Sequence, residues 1–210
     1  KKNMSVRAPH TLYPAMQPAD TCHPAGYGGV SLFGPVLLSR GRVHELLGDS
    51  AVMFAALAVS RLKGPVIWAG LPEAVRTVAP TGVQSFFDPA RLILATGVNR
   101  TEILWAAEQA LRARCAPCVI AEIQDGPDLK ESRRLQIAAE EYGALGLILV
   151  HRAPQTSAAE TRWHCQAAPG GGWDWACIKN RRGRGGRWHV TWAGNDDAPC
   201  AVPLVSAASA

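Results

Sequence analysis

Gly41-Arg42-Val43-His44-Glu45-Leu46-Leu47-Gly48-Asp49-Ser50, followed by the apolar run from Ala51 to Leu62, decides the fold of this chain. The stretch reads as a buried strand, a tight turn and a buried helix. Val43 to Leu47 supply the strand, and Asp49 or Ser50 can cap the helix that follows. That helix is apolar on every side (Val52, Met53, Phe54, Leu57, Val59, Leu62), as expected for one enclosed between a sheet and other elements. In a nucleotide-binding α/β domain, the turn after such a strand holds the phosphates. The motif that does so is Gly-x4-Gly-Lys-Ser/Thr: amides grip the phosphates, the lysine neutralises them and the hydroxyl holds magnesium. Laid from Gly48 without a gap, its second Gly, Lys and Thr fall on Met53, Phe54 and Ala55. None can substitute, and Phe54 puts an apolar ring where phosphates would lie.

Outward from this stretch, strand and helix alternate. Lys63-Gly64-Pro65 ends the helix, and Pro65 to Ala69 is an all-apolar strand, as in a sheet covered on both faces. Residues 70–85 read as irregular, with a helical turn at Glu73 to Thr77. Arg91 to Thr96 is the next strand. Asn99 and Glu102 then form a capping box on a helix whose inner face is Leu104, Ala107 and Leu111. Pro117 to Ile123 is a fourth strand. Asp128 and Glu131 repeat the capping spacing on a helix with Leu135, Ala138 and Tyr142 inward, and Gly146 to Val150 is a fifth strand. Five alternations with short links predict a mainly parallel sheet with helices on both faces. Upstream, residues 31–39 read as a short edge strand or a loop, since Pro35 argues against a central strand.

Beyond Glu160 the pattern changes. Thr161 to Ala167, Trp173 to Lys179 and Arg187 to Trp192 are strand-like, with alternation in Trp173, Trp175, Cys177 and in Trp188, Val190, Trp192. Pro169-Gly170-Gly171-Gly172 and Arg182-Gly183-Arg184-Gly185-Gly186 read as the turns of antiparallel strands extending one edge of the sheet. The organisation expected is an irregular arm over residues 1–30, one domain over 31–194 and a flexible tail over 195–210.

The 210 residues, 48% hydrophobic and 19% charged, suit one domain with a sizeable core. No apolar run reaches the roughly 20 residues that span a bilayer. No apolar signal region follows the basic start, so a cytoplasmic protein is expected. The net charge is +5. Its excess lies late: Arg152, Arg162, Lys179, Arg181, Arg182, Arg184 and Arg187 stand against Glu160 and Asp174 between residues 152 and 192. The six cysteines are scattered, as in reducing compartments. Cys115-Ala116-Pro117-Cys118 has CxxC spacing, but no second pair supplies the four ligands of a structural zinc site.

A parallel core followed by antiparallel strands resembles the RecA-like ATPase fold. Residues 41–48 resemble the strand leading into the RecA phosphate loop, and Pro65 to Ala69 the next strand. Ala116 to Ile123 stands where the second acidic motif falls, and Lys179-Asn180-Arg181 resembles the Lys-Asn-Lys of the C-terminal strands. A closer resemblance is to the ImuA-type mutagenesis accessory proteins. It rests on Arg42 to Asp49, Arg133-Arg134-Leu135-Gln136-Ile137-Ala138-Ala139-Glu140, Ala159-Glu160-Thr161-Arg162-Trp163, and Ile178 to Gly183 with Gly186 to Trp192. It covers about residues 40–194.

The resemblance implies a role in SOS-induced, error-prone translesion DNA synthesis. The implied partners are a polymerase-like protein of the ImuB type and RecA, with single-stranded DNA as a further one. An ATPase with an altered loop and a SulA-like cell-division inhibitor are the alternative readings. The carboxylate that orients water in RecA falls near Gly70, which has no side chain. Glu122 is the one candidate remnant of magnesium coordination, and without a facing lysine or hydroxyl it reads as structural. The nucleotide-binding candidates are therefore only Gly48, Asp49 and Glu122, and a non-catalytic protein without cofactor or metal is expected. Lys179, Arg181, Arg182, Arg184, Arg187 and Trp188 are the candidates for DNA or partner contact, through phosphate pairing and ring stacking. A basic hairpin tip whose tryptophans pack in the core is the bland alternative.

Overall fold

The computed structural model describes residues 28–34, 36–77, 80–192 and 200–204. Strands form where apolar residues run unbroken or alternate. β3 (Arg42–Leu47), β4 (Val66–Gly70), β5 (Leu92–Thr96), β6 (Cys118–Asp125) and β7 (Leu145–Arg152) are the five parallel strands expected. The hairpin β1 (Gly29–Phe33) and β2 (Val36–Ser39) stands apart as a two-stranded sheet. β8 (Thr161–Ala167), β9 (Trp173–Asn180), β10 (Gly186–Thr191) and β11 (Cys200–Pro203) complete the main sheet.

Its order is β11-β10-β9-β8-β3-β7-β6-β4-β5. β8 pairs parallel to β3, and β9, β10 and β11 then add antiparallel. This is the RecA-like arrangement: a mainly parallel sheet flanked by helices and extended by C-terminal antiparallel strands. β3, which feeds the turn at Gly48, is central, and β4 and β6 lie two and more strands away.

Two cores sandwich the sheet. On one face lie α1 (Ala51–Ser60), the β1–β2 hairpin and the short helices α2 (Pro72–Thr77) and α3 (Pro80–Val83), packed around Leu46, Phe54, Leu57, Trp68 and Trp175. On the other lie α4 (Arg100–Arg112) and α5 (Leu129–Tyr142), over Val43, Val119, Ile148 and Val150. α1 keeps most of its residues buried, because no polar side chain sets a solvent face. α4 and α5 are amphipathic, and Glu108–Arg134 and Arg112–Glu141 ion pairs join them.

The helix ends refine the sequence reading. Asp128 and Glu131 form the reciprocal capping box on α5, and Gly143 closes it in the left-handed conformation (φ +73°). Asn99 accepts from the Glu102 amide, but the Glu102 carboxylate bonds the Val98 amide rather than that of Asn99. Tyr142, expected inward, is only half-buried and lies 4.5 Å under the Arg114 guanidinium. Residues 1–27 of the expected arm, and residues 195–199 and 205–210 of the expected tail, lie outside the described residues. Within that tail, residues 200–203 form an edge strand, where a flexible segment was expected: β10 offers a free edge, and Leu204 N bonds Arg187 O just past its end.

Candidate functional site

Gly48, Asp49 and Ser50 alone separate β3 from α1. A phosphate loop needs about six residues before its lysine; here the chain turns directly into the helix. Gly48 has φ +99°, and a Cβ there would lie 2.0 Å from the Cys165 carbonyl oxygen. Only glycine fits, and the reason is the approach of β8. Ser50 N donates to Cys165 O (3.3 Å), Ala51 N to Gly48 O (3.2 Å), and Ala167 N to Asp49 Oδ1 (2.9 Å). Amides that a nucleotide would use are thus engaged by the protein, and a carboxylate sits at the positive end of α1.

Neither Asp49 nor Ser50 caps α1 through its side chain, contrary to the expectation. Asp49 is taken by β8, and Ser50 Oγ accepts the indole N–H of Trp175 (3.0 Å). Phe54 is fully buried, 5.0 Å from the Trp163 ring and 4.8 Å from the Trp175 ring. The place of a phosphate-binding lysine is therefore the middle of an aromatic core.

Glu122 stands toward the C-terminal end of β6, on the α1 face. Its side chain is 16% exposed, and Oε1 lies 4.0 Å from His151 Nε2 on β7. Gly70 ends β4 beside it: a Cβ there would meet Val75 Cγ2 at 3.0 Å and Glu122 Cβ at 3.7 Å. The structure thus brings Glu122, Gly70 and His151 together and leaves Asp49 bound to β8. Among the described residues, no group of three or more His, Cys, Asp or Glu side chains could hold a metal ion. The nearby Asp125 makes a two-point ion pair with Arg152 (2.5 and 2.9 Å). That bond holds its carboxyl below the usual range.

Cys115 is exposed, while Cys118 is buried in β6, where burial pushes its thiol up to about 12. The two therefore do not face a common ligand or solvent. A cavity of about 450 Å³ opens at the opposite end of the sheet, beside Arg40, Arg114 and Tyr142. Its arginines are engaged: Arg40 donates to Gly143 O, and Arg114 lies over Tyr142.

The basic segment divides in two. Lys179 Nζ donates to Ser157 O (2.7 Å), Arg181 to Ala158 O (3.4 Å), and Arg182 pairs with Glu160 (2.8 Å). These three hold down the helix-free crossover from β7 to β8, and burial lowers the Lys179 ammonium below its ordinary value. The exposed Arg184 and Arg187 side chains make no ion pair with a described residue. Trp188 lies 6.0 Å from Phe33 and 5.7 Å from Trp163, on the core side of the sheet. Trp173 and Trp175 stack on the same side at 5.4 Å.

Sequence reading missed a buried polar centre under that crossover. Glu45, fully buried on β3, accepts from the Ser157 hydroxyl and from Arg162 Nε (2.7 Å). Alternation gave a signal, since a lone glutamate in an apolar strand needs a partner. The partners lie more than a hundred residues away.

No family model matches the chain. It is similar to Protein ImuA of two Caulobacter vibrioides strains, NA1000 / CB15N and ATCC 19089 / CB 15. In each case 29% of residues are identical over a 168-residue alignment covering 72% of this chain and 66% of the relative. The chain thus spans just under two thirds of the length of these curated relatives. With the RecA-like sheet and the ordered motifs, this likeness supports an ImuA-type family assignment for the chain.

Proposed function

We propose that the chain is a non-catalytic RecA-like adaptor in DNA-damage-induced, error-prone translesion synthesis. It recruits a polymerase-like partner of the ImuB type and RecA to damaged DNA. The observation that carries the non-catalytic part is the three-residue turn from β3 to α1, with Phe54 enclosed between Trp163 and Trp175. Phosphoryl transfer needs lysine, metal and positioned water together, and isolated remnants of such a set contribute little. Glu122 faces a histidine instead of a lysine or hydroxyl. The likeness to ImuA supports the pathway. The preserved sheet supports recruitment, because a rigid scaffold without chemistry of its own acts by presenting surface.

The test is ATP turnover by purified protein, with Glu122→Ala as the control. No turnover above background is expected, and no rise in melting temperature with ATP and magnesium. Turnover that disappears in Glu122→Ala overturns the non-catalytic reading. Co-purification of the chain with the polymerase-like protein and with RecA tests recruitment, which loses its support if neither is retained.

A further inference from the structure

β8 to β11 have two unlike faces. In antiparallel pairs, residues directly opposite point the same way. One row runs His164, Ala176, Arg187, and Leu204 N extends it by bonding Arg187 O; the next runs Gln166, Asp174, His189, Val202. The opposite face holds Trp163, Trp173, Trp175 and Trp188 and is packed against α1 and the β1–β2 hairpin.

α4 and α5 cover β3 to β7 on the first face but leave this end open: Ile178 and Val202 are each 56% exposed and Leu204 41%. Those aliphatic groups lie with two cations that make no ion pair with a described residue, Arg187 within the row and Arg184 in the adjoining turn. His189 already answers the one acid of the row, Asp174 (2.7 Å). Exposed aliphatic surface rimmed by charge marks a contact site, and unpaired arginines favour an acidic partner.

We propose that the open face of β8 to β11 docks an acidic, aliphatic segment of a protein partner. Leu and Val side chains of that segment cover Ile178, Val202 and Leu204, and its carboxylates pair with Arg184 and Arg187. Single-stranded nucleic acid fits less well, because stacking on exposed rings supplies much of its binding and the four tryptophans of β8 to β10 face the core. The inference rests on the reading of the chain as a recruiting adaptor.

The probe is a fluorescein-labelled 16-residue peptide alternating Glu with Leu and Val, with a same-length oligo(dT) for comparison. Fluorescence anisotropy is read on the full chain. Saturable peptide binding is expected. It weakens by about tenfold or more in Arg184→Glu/Arg187→Glu and again in Ile178→Ser/Val202→Ser, while Arg114→Glu, at the far end of the sheet, changes it little. Melting temperatures of each variant confirm that it is folded. Absence of saturable peptide binding, binding of oligo(dT) alone, or peptide binding indifferent to Ile178→Ser/Val202→Ser overturns the proposal. Because turnover is read separately, a silent peptide with no ATP hydrolysis removes the docking face and leaves the non-catalytic adaptor standing. Hydrolysis lost in Glu122→Ala removes the latter whatever the peptide does.

Discussion

Phe54 shows at the scale of one residue how an apolar side chain and a charged one exclude each other. Its ring is enclosed by Trp163 and Trp175, so Phe54→Lys buries an ammonium without a partner. We expect that change to lower stability by about 3 kcal/mol or more and to produce no affinity for ATP. A rise in the melting temperature of Phe54→Lys on adding ATP and magnesium contradicts this. His44 gives a pH prediction. The Ser39 carbonyl can only accept, so His44 Nε2 donates to it (3.1 Å). Burial disfavours a second ring proton, which leaves Nδ1 to accept from the Thr161 hydroxyl (2.8 Å), whose oxygen also accepts the Trp163 indole N–H (2.8 Å). The ring is therefore neutral. Burial is the main cause that lowers its pKa to about 4, with the Ser39 bond opposing and the Arg42 charge assisting. A folded pKa below the unfolded value of 6.5 means that the unfolded chain binds the extra proton. Stability is then full above pH 6.5 and falls as pH drops toward 4, by about 3 kcal/mol in all. His44→Gln flattens that part of the curve in urea denaturation at stepped pH; an unchanged slope refutes the assignment. Phe54 was legible in the sequence because the motif it breaks is local. The state of His44 was not, since Thr161 lies 117 residues away.

At the scale of elements, the strand and helix periods were readable wherever one face of an element was apolar. The capping box of α5 was readable too, because its bonds span three residues. Glu131 also pairs with Arg100 (2.6 Å), so the box both starts α5 and ties it to α4. We expect Asp128→Ala to cost about 1 kcal/mol, and Glu131→Ala to cost more than Asp128→Ala. Equal losses in denaturant titrations mean that the Arg100 bond contributes nothing. The cap of α1 misled for a reason of the same kind. Ser50 has the right side chain at the right place, but a tryptophan indole 125 residues away claims its oxygen. The basic hairpin was legible as charge. Which of its cations were already spent on the 157–160 crossover depended on long-range contacts that alternation does not carry. The inward turn of Trp188 stayed open for the same reason: period two separates the two faces of a strand without saying which one meets the core.

At the scale of the whole molecule, a mainly parallel sheet extended by antiparallel strands was legible from alternation, short links and the shift to helix-free strands after residue 160, whereas the order of the nine strands and the edge strand β11 were not. The candidate nucleotide site was legible as a gap in a motif, whereas its replacement was not. β8 reaches over the turn after β3 and takes the Ser50 amide through Cys165 O, while the Ala167 amide takes Asp49. That closure couples two strands where other RecA-like proteins place a ligand. Gly48→Ala attacks it directly, with a Cβ 2.0 Å from the Cys165 oxygen at φ +99°, and we expect a loss above about 2 kcal/mol in urea denaturation. A Gly48→Ala protein as stable as the parent contradicts the fit described. A RecA-like machine keeps time by loading, hydrolysing and releasing its nucleotide, and its grip on partners follows that clock. On the non-catalytic reading proposed above, in which the chain's own backbone is seated in the loading position, it has no such clock. Its affinity for partners should be the same in ATP, in ADP and without either, so the moment of action is set by how much of the protein is made and how soon it is removed.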